Sequence, residues 1–348
     1  MLYRTINRRA FLRGASVAGV AVLAGQLVPA PLAHAANALL GNTTPAITQE
    51  TYLLMGTMVT LTAHAPQQEL VLAAFAAAQQ EMVRLIDVYS RHTSSSALGT
   101  LNSQGSLKDA PPELASLLHR AMGLAKITEG LFNPAVQPLV DLFGRSSTAA
   151  LKARINTHEL HEAMALADPA AIALQGKSIR LTRGGMGLTL DGIAKGTIAD
   201  AASAVLLAHG IGNFMVNAGG DIRVQGNSPK GTPWVIGIEN PAHKGYPAEA
   251  VALATGAIAT SGGYENRFDA MGSTHHLVNP LTGQSPRLAG VTVVAPTTEL
   301  ADALATAFCL MPPTQSIALC AASPGIECLL YGENGERSTS QGWHSQLV

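Results

Sequence analysis
Residues 194–221, "AKGTIADAASAVLLAHGIGNFMVNAGGD", hold the passage that decides the fold. Ala194 to His209 has apolar residues at helical spacing and stops at Gly210. The apolar strand Phe214-Met215-Val216 follows, and Asn217-Ala218-Gly219-Gly220-Asp221 turns the chain. Beyond it, Val235 to Glu239, Ala250 to Leu253, Ile258 to Ser261, His275 to Val278 and Val291 to Ala295 read as short strands between Gly-rich turns, before a helix from Glu299 to Leu310.

Toward the N-terminus, Ala171 to Leu190 reads as a hairpin turning at Gly176-Lys177. Helices are predicted from Pro112 to about Thr128, ending at Gly130, and from Pro66 to about Val88. Tyr52 to Ala63 alternates as a strand interrupted at Met55-Gly56-Thr57. Regular βαβ alternation and internal repeats are absent, so the class is α+β with mainly antiparallel sheets.

The 348 residues are 47% apolar and 13% charged, with a formal net charge of -1. That excludes a disordered chain and, for want of a basic surplus, a nucleic-acid-coating one. Residues 1–35 read as an export signal: a basic start, an apolar run from Ala15 to Ala30, and the small-x-small site Ala33-His34-Ala35. Asn7-Arg8-Arg9-Ala10-Phe11-Leu12 is similar to a twin-arginine signal. Removing its four arginines takes the net charge from -1 to -5. Residues 36–50 read as a flexible leader with order beginning near Tyr52, and residues 51–348 as a single domain without a transmembrane segment. Cys309, Cys320 and Cys328 lack metal-ligand spacing and read as buried thiols.

Several segments carry chemistry with more than one reading. Adjacent glycines in Asn217 to Asp221 suit either a backbone approach to a ligand or a plain tight turn. Leu188-Thr189-Leu190-Asp191-Gly192-Ile193-Ala194-Lys195-Gly196 passes from a predicted strand into a helix and forms either a phosphate cradle near Lys195 or an ordinary cap by Asp191. Asp302 and Thr306 share a helix face at i, i+4, a pair for a hard cation or an acid favoured by the helix dipole. His275-His276 offer proton transfer or a local hydrogen bond, and Tyr89 offers a ring for a planar ligand or a core cap.

In order, these segments resemble the FAD:protein FMN transferases, the ApbE or thiamine-biosynthesis lipoprotein family. The markers are Met55-Gly56-Thr57, Tyr89-Ser90 with Ser96-Ala97-Leu98 and Leu101-Asn102, Gly130-Leu131-Phe132-Asn133 with Pro138-Leu139-Val140, Gly192 to Gly196, Asn217 to Asp221, His276 to Gly283, and Ala301 to Thr306. The resemblance implies two packed lobes with the flavin site between them. It implies Mg²⁺-dependent cleavage of FAD, transfer of FMN to a Thr or Ser of a target flavoprotein, and release of AMP. By position, Met55, Tyr89, Leu131, Phe132, Asn133, Thr189, Lys195 and Leu277 would line the FAD site. Gly192 through its carbonyl, Asp302 and Thr306 would hold Mg²⁺, and His276 would assist the chemistry. Thr189 and Asn133 stand where many relatives carry Asp, so two contacts to FAD lose a carboxylate, and Asp191, where many have Gly, either compensates or crowds the site. The missing lipidation Cys implies a soluble periplasmic member, acting on a membrane-associated target that faces the periplasm. A pyrophosphatase giving FMN and AMP, or a non-catalytic periplasmic flavin-binding protein, would share these motifs.

Overall fold
The computed structural model describes residues 47–145, 156–241, 243–263, 277–286 and 288–346. The export signal, the leader up to residue 46 and His276 lie outside them. Strands β1 (Ile47–Leu54) and β2 (Thr57–His64) form an antiparallel hairpin, followed by helices α1 (Gln68–Tyr89) and α2 (Ala97–Gln104), strand β3 (Ser106–Leu107) and helix α3 (Pro112–Ile127). Helices α4 (Gln137–Arg145) and α5 (Thr157–Leu166) precede strands β4 (Ile172–Gln175) and β5 (Ser178–Leu181) and helix α6 (Ala194–Ala208). Strands β6 (Phe214–Ala218), β7 (Asp221–Gln225), β8 (Trp234–Asn240), β9 (His243–Leu253), β10 (Thr255–Ser261) and β11 (Leu288–Ala295) come next. Helices α7 (Thr298–Leu310) and α8 (Pro313–Ala321) and strands β12 (Glu327–Gly332) and β13 (Arg337–Thr339) close the chain.

Eight strands form one sheet in the order β1-β2-β6-β7-β10-β11-β12-β13, and each neighbouring pair is antiparallel. The alternation of side chains explains how it is covered on both faces. Phe214, Val216, Ala257, Ala259, Val291, Val293, Cys328 and Leu330 enter the main core. Their neighbours Met215, Ile258, Val294 and Leu329 point the other way, onto Trp234, Ile236, Val251 and Leu253 of the β8–β9 hairpin. On the main-core side, α1 presents Val71, Ala74, Phe75, Ala78, Met82 and Leu85 at helical spacing. Phe75 is fully buried, so truncating it to Ala would remove about 3–5 kcal/mol.

Four expectations are corrected. The strand interrupted at Met55 is two strands, because Met55 (φ 54°) and Gly56 (φ 71°) make a two-residue hairpin turn. Residues 47–50, read as part of the leader, already belong to a strand, since β1 pairs with β2 from Ile47 opposite His64 onward. The second strand of the 171–190 hairpin ends at Leu181, cut short by a turn with Gly185 at φ 85°. Residues 186–190 are irregular, and the Asn102 amide does the work of a neighbouring strand: it donates to the Leu188 carbonyl at 2.8 Å and accepts from the Leu188 amide at 2.7 Å. Leu277 and Val278, read as the end of a strand, are buried irregular chain leading into a turn that Asn279 organises by accepting from the Leu281 and Thr282 amides.

Candidate functional site
Two glycines bring the chemistry-bearing helices together. A Cβ on Gly196 would lie 2.3 Å from the Thr298 carbonyl oxygen, so only glycine lets the start of α6 rest on the start of α7. One turn earlier, a Cβ on Gly192 would stand 2.9 Å from Thr306 Oγ1, which sets the Gly192 backbone against the Thr306 hydroxyl. The Gly196 amide donates to Asp302 Oδ2 at 3.0 Å. The i, i+4 pair on α7 and the glycines at the head of α6 are therefore two sides of one contact.

α7 is fixed in that position from its N-terminus. Asp200 of α6 accepts from the Thr298 and Glu299 amides at 3.0 and 2.9 Å, an anion at a helix start where the free amides favour it. Glu299 in turn takes a bidentate pair from Arg120 of α3 at 2.6 and 2.8 Å.

Met55, Tyr89, Leu131, Phe132, Asn133, Thr189, Gly192, Lys195, Leu277, Asp302 and Thr306 all line one cavity of about 630 Å³. That size suits a small-molecule ligand, for which pockets run from about 300 to 1,000 Å³. Met55 reaches it in a left-handed conformation that a bulky residue adopts only where the surroundings enforce it. Tyr89, at the end of α1, is buried against the core, and burial pushes its phenol up to about 12, so the ring presents a neutral hydroxyl.

Lys195 is ion-paired to Asp221, which sits fully buried at the start of β7. Burial raises the Asp221 carboxyl above the ordinary aspartate range, against the pull of the Lys195 ammonium. The Asn217–Asp221 segment is thus a tight hairpin turn. A Cβ on Gly219 would meet Thr57 Oγ1 at 2.4 Å, so the close backbone approach is to the β1–β2 turn.

Asn133 is engaged at both ends of its amide, donating to the Ala167 carbonyl and accepting from the Ala135 amide. Thr189 Oγ1 accepts from the Asp191 amide at 3.1 Å. Both shape the cavity wall through bonds within the chain. Asp191 does not cap α6, whose N-cap position, Ile193, has no side-chain bond; its carboxylate pairs with Arg91. Sequence reasoning missed Arg91, His92, Asp141, Thr260 and Ser261 in the cavity lining. Ser261 Oγ lies 3.5 Å from Thr306 Oγ1. Nothing in local spacing marked it, because it arrives from the end of β10.

Gly192, Asp302, Thr306 and Ser261 offer one carboxylate, hydroxyls and a carbonyl, an all-oxygen set that fits Mg²⁺ when water and phosphate complete the shell. Among the described residues, no cluster of three or more His, Cys, Asp or Glu side chains offers an alternative metal site. Cys309, Cys320 and Cys328 are buried thiols, as their apolar surroundings suggested. Among the described residues no helix is long and apolar enough to cross a membrane.

A helix-backed antiparallel sheet with this cavity is the architecture of a known enzyme class. The model of the ApbE family matches residues 55–330, and the chain belongs to that family. A FAD:protein FMN transferase of Treponema pallidum is 32% identical over 272 residues, covering 72% of this chain and 73% of the relative. One from Vibrio cholerae is 30% identical over 255 residues, covering 70% of this chain and 76% of its own. The crystal structure of the ApbE protein of Thermotoga maritima superposes with a TM-score of 0.77 at 26% identity, over 87% of this chain and 100% of that one. The flavin transferase ApbE of Vibrio cholerae gives 0.73 at 26% identity, over the same shares.

Proposed function
We propose that the chain is an Mg²⁺-dependent FAD:protein FMN transferase that attaches FMN through a phosphoester to a Thr or Ser of a target flavoprotein and releases AMP. The observation that carries this reading is the convergence, in one cavity, of every described residue the family resemblance assigned to flavin or metal. The relatives named above bear the activity in their names.

In this reading Met55 and Tyr89 flank the isoalloxazine, while Lys195 at the head of α6 faces the pyrophosphate. Gly192, Asp302 and Thr306 would hold Mg²⁺, which when bound neutralises charge on the transferred phosphate. The acceptor hydroxyl oxygen bonds to the FMN phosphorus as the bond from that phosphorus to the oxygen of AMP breaks, and the hydroxyl proton leaves to a base. The resemblance assigns that base to His276. Phosphoryl transfer rests on positioning and charge, so a cavity whose described lining offers no strong protein nucleophile is suited to it. We assign the action to the periplasm and the target to a membrane-associated flavoprotein facing it, on the strength of the Arg8-Arg9 signal.

The test is incubation of the protein from Ala36 onward with FAD, Mg²⁺ and a candidate acceptor domain, read by intact mass and in-gel flavin fluorescence. A covalent FMN adduct that needs Mg²⁺ is the expected result. Equal AMP and free FMN with a competent acceptor would instead make it a pyrophosphatase, and bound, intact FAD would make it a carrier.

A further inference from the structure
The cavity is crossed at its rim by an ion pair that its assembly does not need. Arg91 Nε donates to Asp191 Oδ2 at 2.7 Å, and His92 Nε2 stands 3.9 Å from the same oxygen. All three residues line the cavity, the first two from the segment after α1 and Asp191 from the turn before α6. Each segment is held by its own bonds. Ser96 Oγ donates to the Ser90 carbonyl and accepts from the Gly99 amide, and the His92 amide donates to Ser90 Oγ. On the other side, the Asp191 amide donates to Thr189 Oγ1 and the Ala194 amide to the Leu190 carbonyl.

The pair also does little for folding, because the Asp191 side chain is 49% exposed and such surface pairs are weak. What it does is keep a guanidinium fixed at the rim with an anion against it. Arg91 engages Asp191 through Nε, and its Nη1 and Nη2 have no hydrogen-bond partner among the described residues. A guanidinium with two free donors in a fixed fork is suited to phosphate oxygens. The lining carries Asp141, Asp191 and Asp302 beside Arg91 and Lys195, and Lys195 is already paired with Asp221, so an incoming polyanion gains most from Arg91 once Asp191 gives way.

We infer that Arg91 is a specificity residue that binds a phosphate of the dinucleotide, and that Asp191 competes with that phosphate for the guanidinium until substrate displaces it. This rests on the reading of the cavity as the FAD site. A flavin without phosphate gains nothing by opening the pair, so the pair selects for phosphorylated ligands.

The test is isothermal titration of the protein with FAD and with riboflavin, in Mg²⁺ and separately in EDTA. Wild type would be compared with Arg91→Ala, Arg91→Lys, Asp191→Asn and the Arg91→Ala/Asp191→Asn double variant. Arg91→Ala is expected to weaken FAD binding about 10-fold, the scale of one charged hydrogen-bonded contact, with Arg91→Lys in between. Asp191→Asn is expected to tighten FAD binding about 5-fold, an effect that the double variant loses, while riboflavin binding stays within about 2-fold throughout. If wild type binds FAD but Asp191→Asn leaves its affinity unchanged, or shifts riboflavin equally, the inference is overturned. If wild type binds no FAD in either condition, the assignment of the cavity fails and the inference with it.

Discussion

Asp221 and Glu249 are both carboxylates withdrawn from water, and the chain surrounds them in opposite ways. Glu249 of β9 accepts from Arg337 Nε and Nη2 at 2.5 and 3.0 Å, from Trp343 Nε1 at 2.8 Å and from the Tyr331 hydroxyl at 3.3 Å. Burial raises its pKa, but Arg337, Trp343 and Tyr331 outweigh that and hold it below the usual glutamate range. Asp221 is more deeply buried, its side chain rests on Lys195, and its carboxyl ends above the usual range. The first is a closed network that ties the C-terminal segment to the β8–β9 hairpin. The second leaves its cation lining the cavity. A buried acid whose acceptor oxygens are filled by the fold's own donors serves the fold, whereas one paired to a cation that lines a cavity serves whatever that cation touches.

Four outcomes would break or sharpen this contrast. The largest effect belongs to the cavity: Asp302→Ala should lower AMP release from FAD by about 100-fold or more, since the metal is asked for several kcal/mol. Undiminished release at saturating Mg²⁺ would remove Asp302 from the metal site. Glu249→Ala should cost about 2 kcal/mol in chemical denaturation by stranding the Trp343 and Arg337 donors, with turnover unchanged. Asp221→Asn should do the reverse, lowering turnover about 10-fold while shifting stability by less than Glu249→Ala; equal destabilisation by the two would erase the distinction drawn here.

The smallest effect concerns pH. A glutamate whose folded pKa is depressed contributes stability that is present above its unfolded pKa and lost as pH falls through the folded value. The gap in unfolding free energy between wild type and Glu249→Gln should therefore narrow on acidification below the ordinary glutamate range. A gap that is constant from neutral to acid pH would show that Glu249 acts by shape alone.

Helix positions were legible in the sequence where one stripe of apolar residues faced one core. The Val71 to Leu85 repeat gave α1, and the spacing from Ala194 gave α6. The 186–190 segment was not legible, because its backbone partner is a side chain 86 residues away, Asn102. The cavity was legible as separate short motifs, each with an ordinary alternative reading. What could not be read was the pairing between motifs: Lys195 with Asp221, and Arg91 with Asp191. Such pairs depend on which elements lie side by side, and no periodicity along the chain encodes that.

The order of strands in the large sheet has a consequence for how the protein comes to exist. The cavity is lined from Met55, in the first hairpin, to Leu310, at the end of α7, and the strands that carry its walls are joined through pairings remote in sequence. A nascent chain that has emerged only as far as β9 has the turn, the end of α1 and the head of α6, but neither acid nor hydroxyl from α7. The cavity is therefore completed late in synthesis, with α8, β12 and β13 still to follow, and non-local closure of this kind makes that step slow relative to the formation of the hairpins.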